Sequence, residues 1–169
     1  MDAPDPPVVS RHHGLLGTVI ELRVWATSAS SAMAAERAAI GEIERLQRVF
    51  DVHDDRSDLR RRLAGEAVAS PELDAVLDLV ARWRTRSGGV FDPAVGALVE
   101  LWDAAANAGA APSPTAIDRV IAAMHDPTDA RSRPSNLNAL AKGWIVDRAH
   151  QRARALESTI GLTINAGGD

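Results

Sequence analysis

NLNALAKGWIVDRAHQRARAL, residues 136–156, runs directly into ESTIGLTINAGGD, residues 157–169. A small-residue turn at Asn138-Ala139 precedes Ala141-Lys142-Gly143, and a helix follows. Ala141, Ile145, Ala149, Ala153 and Leu156 recur near helical spacing, which gives that helix one apolar face. Asp147, Arg148, Arg152 and Arg154 share the other face and belong in water. Thr159 to Asn165 is a short β-rich run. It stops at Gly167-Gly168-Asp169, where two glycines allow positive φ or a very close backbone approach. A lysine at a helix start beside small residues fits a phosphate cradle. The plainer alternative is a helix packed on a strand with Lys142 in solvent.

The bounds of the chain narrow the choices. With 169 residues and no cysteine, it has room for one domain with a sizeable core. There is no disulfide framework and no lipoprotein-type acylation site. A net charge of −4 with scattered basic residues argues against nucleic acid. No apolar run is long enough to span a bilayer. The opening MDAPDPPVVSRHH is acidic and proline-rich, unlike a signal peptide, so a soluble cytoplasmic protein is expected. Pro4, Pro6 and Pro7 deny a helix, so residues 1–13 are expected to be extended or mobile, a flexible N-terminal segment ahead of a domain over 14–169. His12 and His13 are adjacent, point different ways in regular structure and read as surface.

TVIELRVW, residues 18–25, alternates as a half-buried strand with Ile20, Leu22 and Val24 on one face. Leu16-Gly17-Thr18 reads as its entrance. Residues 31–50 form a helix with a stripe of Ile40, Ile43, Leu46 and Phe50. The following FDVHDDRSDLRRRL reads as a charged loop capping a helix. Ser70-Pro71 opens a helix with Leu73, Val76, Leu77, Val80 and Trp83 on its buried side, and Gly88-Gly89 ends it. Asp92-Pro93 has the form of an N-cap followed by a first-turn proline. Residues 103–114 read as a loop, and Ser113-Pro114 starts a helix bearing Ile117, Val120, Ile121 and Met124. Residues 125–135 read as a second loop. The fold expected is α+β: an antiparallel sheet beginning near residue 18, covered by several helices on one side.

LNALAKGWIVD followed by INAGGD resembles the paired signature of the ApbE family, the FAD:protein FMN transferases. That family carries D-L-G-A-I-A-K-G-Y-x-V-D and then a strand ending N-A-G-G-D. Lys142, Gly143, Val146, Asp147 and Asn165 to Asp169 match. VFDPAVGALVELW, residues 90–102, resembles the family's A-F-D-P-T-V-G-P-L-V-x-L-W, with Ala94 in place of the usual threonine. Ser57 and Leu59 match a third segment, in which His53 stands where the family has a flavin-packing tyrosine. Leu16 stands where the family's M-G-T methionine lies against the flavin, and Asn136 where an aspartate contacts FAD.

The resemblance implies an ApbE-like, T-fold-related α+β domain, incomplete at its C-terminus. It implies cleavage of the FAD pyrophosphate, transfer of FMN to a threonine or serine hydroxyl of a target flavoprotein, and departure of AMP, with Mg²⁺ on the pyrophosphate. By position, Leu16, His53, Val90, Phe91, Asp92, Asn136 and Lys142 would bind FAD, and the Ala139 carbonyl would be one metal ligand. Asp147 reads as structural. The family continues past Gly-Gly-Asp into H-I-x-D-P-x-T-G, whose histidine is linked to catalysis, and D-A-x-x-T, which holds the metal. Neither segment occurs among these residues, so the catalytic residue stays unassigned and tight Mg²⁺ binding by this chain alone is not expected. A dimer or a complementing C-terminal chain, a flavin-binding module without chemistry, and a scaffold whose last strand pairs with another chain are the other readings.

Overall fold

Alternating apolar residues make Thr18–Ala26 the central strand, β2, of a three-stranded sheet. Val8–Leu15 (β1) lies antiparallel on one side and Thr159–Ala166 (β3) antiparallel on the other. The protein is represented by a computed structural model that describes residues 6–126, 128–129 and 136–167. Six α-helices accompany the sheet among these residues: α1 Ala29–Phe50, α2 Asp58–Leu63, α3 Pro71–Arg86, α4 Gly96–Asn107, α5 Pro114–His125 and α6 Asn138–Arg154. The α+β expectation is met, with helix outweighing strand.

The sheet begins earlier than residue 18, and residues 8–13, expected to be extended or mobile, are extended and paired as strand. The reason is legible only in three dimensions. Ser10 and His12 oppose buried Leu22 and Ile20, so β1 carries no hydrophobic alternation to read. It is held by its ladder to β2, by His12 Nε2 to Glu36 Oε1 at 2.8 Å and by Arg11 to Glu21 at 2.8 Å. His12 is therefore half-buried and partnered, whereas His13 is exposed on the opposite face. The Arg11 and Arg23 guanidinium groups hold the Glu21 carboxyl below the usual carboxylate range.

One face of the sheet is covered by α1 and α6. Ser28 caps α1, its hydroxyl accepting from Ser31 N–H. The α1 stripe is Ala32, Ala35, Ala39, Ile43, Leu46 and Phe50, all buried. The expected α6 stripe of Ala141, Ile145, Ala149 and Ala153 is likewise buried. Alanine on both helices lets their backbones approach each other and the sheet closely. Ile20, Leu22, Val24 and Leu162 complete this core from the strands. Burying a side chain of the size of Ile43 or Leu46 contributes about 1.5–3 kcal/mol. Trp144 of α6 meets Phe50 edge-on at 5.8 Å, which joins the ends of the two covering helices.

Away from that core, α4 and α5 bury a small cluster of Ala94, Ala97 and Met124. Helix α4 continues through Ala104, Ala105 and Ala106, residues expected in a loop, because alanine is the strongest helix former. Trp83, expected on the buried side of α3, is 44 % exposed and lies under the Arg86 guanidinium. Among the described residues no helix is long and apolar enough to cross a membrane.

Candidate functional site

The site starts at the turn between β1 and β2. Leu15 pairs with Thr18, leaving Leu16-Gly17 as a two-residue loop with φ of +51° and +69°. Two positive φ angles match the twist of a tight hairpin, but a leucine in that region is strained. Leu16 is the one non-glycine residue with positive φ among those described. Its side chain is nonetheless buried, and its N–H donates to Gln47 Oε1 of α1 at 2.8 Å. Gly14, at φ +79°, accompanies the register shift that brings the strand into the turn.

A cavity of about 380 Å³ opens beside this turn. Its floor comes from Leu16, Phe50, Val52 and Ile145, and its polar groups from Gln47, Asp51, His53, Asn138 and Lys142. The α1–α2 segment is fixed by Ser57, which is 2 % exposed. The Ser57 hydroxyl donates to the Asp51 carbonyl at 2.6 Å and accepts from Arg60 N–H at 3.0 Å. Asp51 Oδ1 in turn accepts from His53 N–H at 2.8 Å, which sets the exposed imidazole at the cavity rim. Lys142 is exposed and lies in the second turn of α6, where its amine is the one lysine or arginine among the lining residues. The volume sits at the low end of the range of about 300–1,000 Å³ usual for ligand pockets, room for a ring system and part of its tail.

Three of the residues singled out from the sequence, Leu16, His53 and Lys142, line one cavity although they come from a hairpin, a loop and a helix. The others do not line it, but Asp92 and Asn136 are linked to it through the Pro93 turn and Asn138. Asp92 caps the short 3₁₀ turn Pro93–Val95, its carboxylate accepting from Ala94 N–H at 2.9 Å and pairing with Arg84 at 3.1 Å. Asn136 N–H donates to the Pro93 carbonyl at 2.9 Å, which ties this turn to the start of α6. Asn136 Oδ1 accepts from Asn138 N–H at 3.2 Å, and Asn138 lines the cavity. Phe91 packs against the main core, and Val90 is 92 % exposed and outside the cavity lining. Ala139 falls in the first turn of α6. Gly168 and Asp169 lie outside the described residues.

Gly167 links the last strand to the same hairpin. Its φ is +65°, and its N–H donates to the Val19 carbonyl at 3.2 Å. A side chain there would overlap Thr18 Oγ1 and meet Thr18 Cβ at 3.0 Å. Gly167, just after β3, and the Leu16-Gly17-Thr18 turn are therefore in contact. Gln47, Asp51 and Asn138 were not anticipated as cavity residues, and Asn138, expected in a turn, is the first residue of α6. Gln47 had a visible signal, since it shares a helix face with Ile43 and Phe50 and interrupts that apolar stripe with an amide. Asp51 and Asn138 had none, because polar residues at helix ends are ordinary.

The described residues hold no cluster of three or more histidine, aspartate or glutamate side chains able to bind a metal. One backbone carbonyl at Ala139 is too few donors for a hard divalent cation.

A profile of the ApbE family matches residues 16–169. An FAD:protein FMN transferase of Treponema pallidum is 28 % identical over 175 residues, covering 89 % of this chain and 48 % of that protein. The fold is similar to that of the ApbE protein of Thermotoga maritima, with a TM-score of 0.75 at 22 % identity, covering 96 % of this chain and 57 % of that one. It is also similar to the flavin transferase ApbE of Vibrio cholerae, with a TM-score of 0.73 at 17 % identity, covering 96 % and 58 %. This chain thus spans about half the length of the curated relative it matches. The profile match covers residues 16–169, from the turn that opens the cavity past Gly167, which packs on that turn, and on this ground the chain belongs to the ApbE family.

Proposed function

We propose that the cavity beneath the β1–β2 hairpin binds the flavin end of FAD and serves transfer of FMN to a threonine or serine hydroxyl of a target flavoprotein. The observation that carries this reading is the convergence of Leu16, His53 and Lys142 on one cavity. Leu16 gives the ring an apolar support, and the His53 imidazole stacks against it with less area than a phenol would. Lys142 attracts the phosphates. The neighbouring turn of Val90, Phe91 and Asp92 with Asn136 contacts the rest of the dinucleotide. In the reaction the hydroxyl oxygen forms a bond to the FMN phosphorus as the pyrophosphate bond to that phosphorus breaks. AMP takes the bond's electron pair and leaves, and the hydroxyl proton passes to solvent or a base.

The family resemblance also implies Mg²⁺. With the Ala139 carbonyl as its one proposed donor, the described residues do not fit that ion. This observation favours a second reading, a flavin-binding domain that does no chemistry until a second copy or a complementing chain brings further groups. The test is FMN transfer from FAD with Mg²⁺ to a threonine-containing acceptor peptide, followed by peptide mass. Flavinylated peptide supports the transferase; FAD binding with no flavinylated peptide supports the second reading; neither refutes both.

A further inference from the structure

Gln47 is not among the groups proposed to hold the flavin or its phosphates, yet the orientation of its amide suits it to a contact of its own. Its Oε1 accepts from the Leu16 N–H at 2.8 Å, a bond that the –NH₂ end of the amide, which can only donate, could not make. That bond fixes which end of the amide is which. Among the described residues no protein atom pairs with Nε2. Buried side-chain nitrogen or oxygen atoms without a partner are absent among the described residues, so the –NH₂ group is open rather than sealed in the core. Gln47 itself lines the cavity, between the apolar floor at Leu16 and Phe50 and the polar rim at Asp51.

We propose that Gln47 is a binding residue that donates a hydrogen bond from Nε2 to a carbonyl oxygen of the flavin ring, while the strained Leu16 turn holds its other end. This rests on the flavin reading of the cavity. A neutral donor suits a neutral ring carbonyl, whereas Lys142 suits the phosphates. The strain at Leu16 then has a purpose: its N–H is aimed at the amide and its side chain at the floor in one conformation. A single neutral hydrogen bond of this kind changes affinity about 3- to 10-fold.

Riboflavin, which has the ring without phosphate, and FAD are titrated by fluorescence into the wild-type chain, Gln47→Glu and Gln47→Met. Exchange of the Leu16 amide proton is followed in each. The glutamate keeps an acceptor for Leu16 but has no donor. The proposal expects Gln47→Glu to keep the Leu16 amide slow while binding riboflavin about 3- to 10-fold more weakly, with Gln47→Met at least as weak. Equal riboflavin binding by wild type and Gln47→Glu overturns the donor role and leaves the flavin reading intact. Weaker binding accompanied by loss of Leu16 protection in Gln47→Glu assigns the effect to the turn and also overturns it. A wild type that binds FAD but not riboflavin overturns ring recognition by this residue. A wild type that binds neither refutes the flavin reading and this assignment together.

Discussion

Gly167→Ala is the substitution that most sharply probes how the two ends of this chain are joined. Gly167 sits at φ +65°, where an L-residue is disfavoured by about 1–2 kcal/mol. The added Cβ would overlap Thr18 Oγ1 and lie 3.0 Å from Thr18 Cβ and 3.2 Å from Cγ2. Relieving such an overlap inside a packed turn costs about 1–3 kcal/mol. Together Gly167→Ala should destabilise by about 2–5 kcal/mol in urea denaturation. Thr18→Ala removes Oγ1 and Cγ2 and leaves only the contact to Cβ, so the double variant should recover about 1–2 kcal/mol relative to additivity. Gly41→Ala is the control: Gly41 lies in α1 with nothing within 4 Å of its would-be Cβ, and the same change there should stabilise by about 0.5–1 kcal/mol. The reasoning is refuted if Gly167→Ala costs under about 0.5 kcal/mol, or if its effect adds to that of Thr18→Ala without coupling.

Three further outcomes are expected. Ser57→Ala removes an N-cap and leaves the partly buried Asp51 carbonyl without its donor, so the melting curve should report a loss of about 1–3 kcal/mol. Lys142→Ala should weaken FAD binding while leaving riboflavin binding nearly unchanged, as measured by flavin fluorescence. Hydrogen bonds from Arg45 hold the carboxyls of Glu42 and Glu72 below their ordinary range. A carboxyl lowered in the folded state stabilises above its unfolded value, about 4.3, and that contribution fades as pH falls toward the folded value. Glu72→Gln should therefore flatten the fall in stability below about pH 4.3, while at pH 7 it changes stability by less than about 1 kcal/mol because the pair is partly solvated.

The covering helices were legible because α1 and α6 display their buried faces at helical spacing, and the N-caps at Ser70, Asp92 and Ser113 announce their turns through ordinary capping chemistry. Strand β1 was not legible, since its inward positions carry Ser10 and His12 and its stability comes from a partner strand. Of the site, Leu16, His53 and Lys142 could be picked out, but that they line one cavity depends on tertiary packing between a hairpin, a loop and a helix. Val90 illustrates the converse: a motif position need not face the cavity, and this one is solvent-exposed. Asp92 carries a structural duty alongside any ligand contact, because its carboxylate already accepts from Ala94 N–H and pairs with Arg84.

The claim that a flavin occupies the cavity under the β1–β2 hairpin is tested most directly by filling that cavity. Asn138 lines it from an exposed position at the first residue of α6, so Asn138→Trp blocks the space without entering the core. FAD titrated into the wild-type chain should quench in a saturable curve, and Asn138→Trp, with an unchanged circular-dichroism melt, should bind at least tenfold more weakly. Equal binding by the two proteins, or no binding by the wild type, would contradict the account.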